Sequence, residues 1–159
     1  NEQRKLIADK VPEKRRANFL NPKPIEIRDV DPPDLFNPEP TSDKNFLWFK
    51  VDGALDVQDQ WVHHCFLAYA SDVSLLGSGN RPHGVSAYSG DVMLASLDHA
   101  MWFHEKINFN DWYLYEMDSP FSGAARSLNR GKVFSQDGTL VASVAQEGLM
   151  RPLKRRPNT

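Results

Sequence analysis

The chain has 159 residues, 40% hydrophobic and 25% charged, which suits one ordinary globular domain with a core of its own. A formal net charge of −2 gives no basic field for nucleic acid, and no apolar run approaches the ~20 residues of a membrane span. Cys65 is the single cysteine, so an internal disulfide is excluded and a reducing compartment is favoured.

Residues 1–44 carry seven of the eleven prolines and many charges. Leu6, Ile7 and Val11 could close a short helical turn that Pro12 limits. The run Lys14-Arg15-Arg16 reads as a solvated face rather than a phosphate site. Pro24 to Val30 alternates and reads as a strand, ended by Pro32-Pro33. The segment is expected to link or wrap rather than to build a core. It shows no secretory pattern, and a start at Asn1 rather than Met suggests a fragment or a processed product.

Asn45 to Val51 is aromatic and β-prone, and Asp52-Gly53 turns the chain. Asp56 to Leu76 reads as the long helix. Its Val62, Cys65 or Phe66, Tyr69, Val73 and Leu76 recur at three- and four-residue steps and give an apolar face. Asp56 or Asp59 can cap its first turn, and Gly77 and Gly79 supply the stop. Asn80 to Gly90, with its Gly and Pro, reads as a loop.

Strands are then expected at Val92 to His104, Trp112 to Asp118, Ala124 to Ser135 and Thr139 to Gln146, the last two joined at Asp137-Gly138. Arg151 to Thr159 is basic and reads as a frayed tail. Within Ala95 to His104, alternation puts Leu97, His99, Met101 and Phe103 on one face. Ser96, Asp98, Ala100, Trp102 and His104 take the other, so the stretch reads as an interior strand covered on both sides. Unsatisfied polar groups there cost about 1–3 kcal/mol each, so its Ser, Asp and His are either hydrogen-bonded or used for chemistry.

Three linked words carry a resemblance. They are Ser96 to His104, Phe66 to Asp72 followed by Leu75-Leu76, and Gln136 to Ser143 running into Gln146 to Arg151. Their order and spacing resemble the type II acyl-CoA thioesterases, the TesB family with its peroxisomal eukaryotic relatives. The resemblance implies an α+β hot dog fold, in which a curved antiparallel sheet wraps one long helix. It makes residues 1–44 a proline-rich linker, 45–151 the second half of a double hot dog, and 152–159 a flexible tail. The expected partner is an N-terminal hot dog domain or a second copy of the chain. A eukaryotic source implies the peroxisome, although Pro157-Asn158-Thr159 is not a targeting tripeptide; a bacterial source implies the cytoplasm.

In that family an acidic residue, a Ser or Thr, and a Gln act together; the matching positions here are Asp72, Ser96 and Gln146. Thioester hydrolysis needs a positioned water, a proton acceptor and donors for the oxyanion. Asp72 would accept or orient, while Ser96 and Gln146 hold the water; direct attack is favoured because no His is placed as a base for Ser96. From residue types alone, a helix-end carboxylate, a small strand residue and a surface amide would read equally well. Asp98 and His99 point to opposite faces of a strand and read as structural. His63, His64, His83 and His104 lack metal-motif spacing, and Cys65 reads as a core residue rather than a nucleophile. Trp48, Phe49, Trp61, Trp102, Trp112 and Tyr115 read as core or interface packing, some of them able to line an acyl tunnel.

The implied activity is hydrolysis of fatty acyl-CoA, with CoA as part of substrate and product and no other cofactor or metal. Two alternatives stand beside it: a non-catalytic half acting as a dimerisation or scaffold module, and a hot dog enoyl-CoA hydratase. Acyl chain length and type, the oxyanion donor and the oligomeric state are open at this point.

Overall fold

A computed structural model describes residues 8–11, 13–88 and 90–153, apart from the side chains of residues 14, 15 and 18. Leu6, Ile7 and Pro12 lie outside the described residues, as do residues 154–159 of the expected tail. Seven strands form one antiparallel sheet: β1 (Ile25–Asp29), β2 (Asn45–Val51), β3 (Val92–Ser96), β4 (Ala100–Phe103), β5 (Tyr113–Gly123), β6 (Arg126–Ser135) and β7 (Leu140–Pro152). Their order is β1-β2-β5-β6-β7, with β3 and β4 one after the other along the far side of β7. Helix α1 (Glu13–Leu20) precedes the sheet, and the 16-residue α2 (Gln60–Leu75) packs against it.

Strict alternation explains the sheet. In β2 every second residue is buried, from Asn45 through Leu47 and Phe49 to Val51. Phe49 packs its ring against Phe109 at 5.5 Å and Tyr115 at 5.4 Å, and α2 adds Leu67, Ala70 and Leu75 to the same core. A ring as buried as Phe49 is worth about 3–5 kcal/mol against alanine. One helix inside a curled antiparallel sheet is the hot dog arrangement, α+β, that the motifs imply.

The helix differs from its expected form in three ways. It starts at Gln60, because the Asn110 side chain holds both the N–H and the C=O of Leu55 in the approach segment. Asp59 is the N-cap by position, yet its carboxylate caps nothing among the described residues. The helix ends at Leu75, one residue short of the expected end, but neither Gly77 nor Gly79 is a left-handed cap: a separate helical turn spans Gly77–Asn80, and the left-handed residue beyond it is Gly84, at φ +57°.

The buried face also differs. It consists of His63, Leu67, Ala70, Ser71 and Leu75, while Tyr69 and Val73 are 48% and 47% exposed and Cys65 is exposed rather than in the core. Two polar residues on the inner face hide it from a hydrophobicity pattern. His63 accepts the Phe109 N–H at Nδ1 and donates from Nε2 to the Val57 carbonyl, so a buried imidazole is fully satisfied.

Strand ends differ as well. β5 runs past Pro120 to Gly123 because a register shift between Asp118 and Phe121 absorbs the proline, which has no N–H for the ladder. Ala124 and Ala125 form the following turn rather than the start of β6, and β7 continues through Pro152.

Candidate active site

The site begins with a slip in the sheet. Ser96 stands opposite Gly148 and Ala100 opposite Ala145, so Leu97, Asp98 and His99 face only Glu147 and Gln146. One extra residue of this kind is a β-bulge, and it reverses which side chains look inward. The expected single strand from Val92 to His104 is therefore two strands. Ser96 and His99, assigned to opposite faces by alternation, both turn toward α2.

Asp98 stabilises the slip. Its Oδ1 accepts the Glu147 N–H at 2.7 Å, in place of the carbonyl that a regular ladder would supply, while the Leu97 N–H donates to the Glu147 carbonyl at 2.9 Å.

Three distant segments then meet on one carboxylate. Ser96 Oγ donates to Asp72 Oδ1 at 3.2 Å, and Gln146 Nε2 donates to the same oxygen at 2.5 Å. Asp72 lies near the end of α2, Ser96 closes β3, and Gln146 is in β7. Asp72 and Ser96 are exposed, whereas Gln146 is 0% exposed, so the constellation sits at the bottom of an open surface. Gln146 Oε1 is buried and has no hydrogen-bond partner among the described residues. A buried amide that commits its donor to a carboxylate and keeps its acceptor spare is arranged to hold a third group.

The segment bearing Asp72 is fixed from below. Tyr115 donates its phenol proton to the Ser71 carbonyl at 3.0 Å. Burial, reinforced by the Asp72 charge, pushes the Tyr115 phenol far above its ordinary range, so it remains a neutral donor. Gly131 makes room for that ring, since a Cβ there would lie 2.3 Å from Tyr115. At the next turn Gly148 admits Leu76, and Gly79 admits Ser127 while donating its N–H to Asn129 Oδ1 at 3.1 Å. Asn129, fully buried, donates in turn to the Gln146 carbonyl.

The remaining histidines have local roles. His83 bonds Ser122, His104 bonds Ser143, and His64 stacks on Phe103 at 4.2 Å. Arg16 ties the carbonyls of Ala8, Asp9 and Val11, which accounts for one member of the basic run. Sequence reasoning misses Ser71, Asn129 and the inward turn of His99. Ser71 lies inside the motif word Phe66 to Asp72 without being singled out there, Asn129 carries no signal outside a three-dimensional contact, and the direction of His99 is hidden by the bulge.

The comparisons with known proteins speak to the family and the fold. Residues 20–149 match the profile of the family described as Acyl-CoA thioesterase. Acyl-coenzyme A thioesterase 8 of Mus musculus is 41% identical over 128 residues, 80% of this chain and 39% of that protein. Acyl-CoA thioesterase 2 of Haemophilus influenzae is 33% identical over 147 residues, covering 91% and 50% respectively. The crystal structure of the acyl-CoA thioesterase II TesB2 from Mycobacterium marinum superposes with a TM-score of 0.70 at 40% identity, over 86% of this chain and 53% of that one. The chain thus spans about half the length of these relatives or less. With a family profile matched across most of its length, the chain belongs to the acyl-CoA thioesterase family.

Proposed function

We propose that the full-length protein hydrolyses acyl-CoA to a free carboxylic acid and coenzyme A. The observation that carries this reading is the convergence of Ser96 and Gln146 on one oxygen of Asp72, in a chain of this family. Two donors hold the carboxylate in one orientation and leave its second oxygen to take a proton. A water bound there could also donate to Gln146 Oε1, the spare buried acceptor. As its oxygen bonds to the thioester carbon, its proton passes to Asp72 and the carbonyl electron pair moves onto oxygen. Collapse of that oxyanion breaks the carbon–sulfur bond, and the proton on Asp72 leaves with the thiolate. The scheme requires no metal or prosthetic group.

The Ser96–Asp72 bond also supports a covalent route, in which Asp72 removes the Ser96 proton and Ser96 takes the acyl group. An acyl adduct on Ser96, trapped by mass spectrometry, would select it over direct water attack.

We infer further that the site is completed by a second hot dog unit, from the same polypeptide or another copy. The apolar surface near the site supports this: Tyr69 and Val73, on the helix turns around Asp72, and Leu97, next to Ser96, are all substantially exposed. For a eukaryotic source, the relative from Saccharomyces cerevisiae named a peroxisomal acyl-coenzyme A thioester hydrolase supports a peroxisomal setting. The test is to incubate full-length protein with acyl-CoA and with enoyl-CoA, following free thiol and double-bond absorbance. Thiol release is the expected result. Loss of absorbance without thiol would make the protein a hydratase, and silence in both would make this half a scaffold.

A further inference from the structure

His99 is not used by the scheme above, yet it is not idle. Its Nε2 lies 3.0 Å from Ser71 Oγ, and Ser71 is the residue before Asp72. Ser71 is 0% exposed, and its hydroxyl also donates to the Ala68 carbonyl at 2.9 Å. A carbonyl can only accept, so that bond consumes the single hydroxyl proton. Nε2 of His99 must then carry a proton and donate it to Ser71. The donor tautomer follows from the hydrogen-bond count.

The arrangement has no packing explanation, because His99 is itself exposed while the residue it holds is buried. A serine bonded back to the carbonyl three or four residues earlier tends to loosen or bend its helix. Here that turn is the one carrying Asp72, and it is gripped from two strands. Tyr115 on β5 holds the Ser71 carbonyl, and His99, at the end of the bulge, holds the Ser71 hydroxyl. The same bulge delivers Ser96 to Asp72.

We propose that His99 is a positioning residue: by holding Ser71, it fixes the helical turn that bears Asp72 against the sheet that bears Ser96 and Gln146. The proposal rests on the thioesterase reading of that site. In the scheme above His99 has no part in binding the thioester or the attacking water, so its expected effect is on turnover rather than on substrate affinity.

The test uses the full-length protein with His99→Ala, His99→Gln, Ser71→Ala and the double variant Ser71→Ala/His99→Ala. Thiol release should fall roughly tenfold to a hundredfold in kcat for His99→Ala, with KM nearly unchanged, as displaced catalytic groups do. His99→Gln, whose amide can donate from a similar reach, should recover most of the loss. The double variant should be no slower than the worse single one. Parental kcat in His99→Ala overturns the proposal. So does a glutamine variant as slow as the alanine variant, which would assign His99 a proton-transfer role of its own. A second readout does not depend on activity: imidazole nitrogen NMR should show the Nε2-protonated tautomer in the parent and a changed tautomer balance in Ser71→Ala. A His99 signal indifferent to Ser71→Ala also overturns the proposal. If the parent releases no thiol, the thioesterase reading fails, and the NMR arm still decides the contact.

Discussion

β7 is flanked by two neighbours built on different rules. On one side, β6 pairs with it without interruption from Arg126 to Val133, and alternate residues of β6 are buried. The outward residues Arg130 and Lys132 meet Asp118 and Glu116 of β5, the first pair through two parallel bonds of 2.9 and 2.8 Å. On the other side, β3 and β4 pair with β7 in two pieces, separated by a bulge whose missing acceptor is the Asp98 carboxylate. The regular flank makes sheet. The slipped flank brings Ser96 and His99 to one helix turn, which a continuous strand could not do because consecutive parity would separate them. The site comes from a break in the pattern that builds the fold.

That contrast can be broken from either flank. The largest effect is expected at the carboxylate on which the slipped flank converges. Asp72→Asn in full-length protein should lower thiol release by roughly a hundredfold to ten-thousandfold, the usual worth of a general base, with circular dichroism unchanged. A folded variant of near-parental activity would end the water-activation scheme.

Next comes the bulge. Asp98→Ala removes the acceptor for the Glu147 N–H and, because the bond is exposed to solvent, should destabilise the protein by about 1 kcal/mol or less in denaturant unfolding. Turnover should fall with it, because Ser96 and His99 lose their shared direction. Asp98→Asn keeps an oxygen in place and should recover most of both. Equal damage from the two substitutions would mean that charge, not the ladder acceptor, matters at this position.

The regular flank should respond differently. Ala124 and Ala125 hold φ of +51° and +59°, a conformation that a two-residue hairpin turn wants but alanine resists. Ala124→Asn combined with Ala125→Gly should therefore raise stability, by about 1 kcal/mol, and leave kcat alone. Arg130→Ala, at an exposed ion pair, should change stability by less than about 1 kcal/mol and turnover not at all.

The same contrast governs what is legible in the amino-acid sequence. β2 is readable with its observed ends, because Asn45 to Val51 is aromatic and β-prone and Asp52-Gly53 follows it, although its alternation shows only in the burial of every second residue. The broken strand is not, since a bulge leaves no mark on a hydrophobicity pattern until its register is known. The inner face of α2 escapes periodicity because His63 and Ser71 sit inside while Tyr69 and Val73 sit outside. The Ala124-Ala125 turn lacks the Asn and Gly that usually announce one, and β5 hides its length behind Pro120. Asp72, Ser96 and Gln146 are legible as motif words. Periodicity alone would not choose them, because their meeting depends on the folding of well-separated stretches of chain and on the slip itself. Ser71 and Asn129 hold that meeting in place, and this role is visible only as contacts.

The most direct test of the shared carboxylate is a double-mutant cycle on kcat in the full-length protein, read by thiol release. Ser96→Ala and Gln146→Ala should each lower turnover by on the order of tenfold to a thousandfold. Since both donate to Asp72 Oδ1, the double variant should lose clearly less than the product of the two factors. Fully multiplicative losses, in variants that fold like the parent, would mean that the two residues act on separate steps and that the convergence on Asp72 is not the working site.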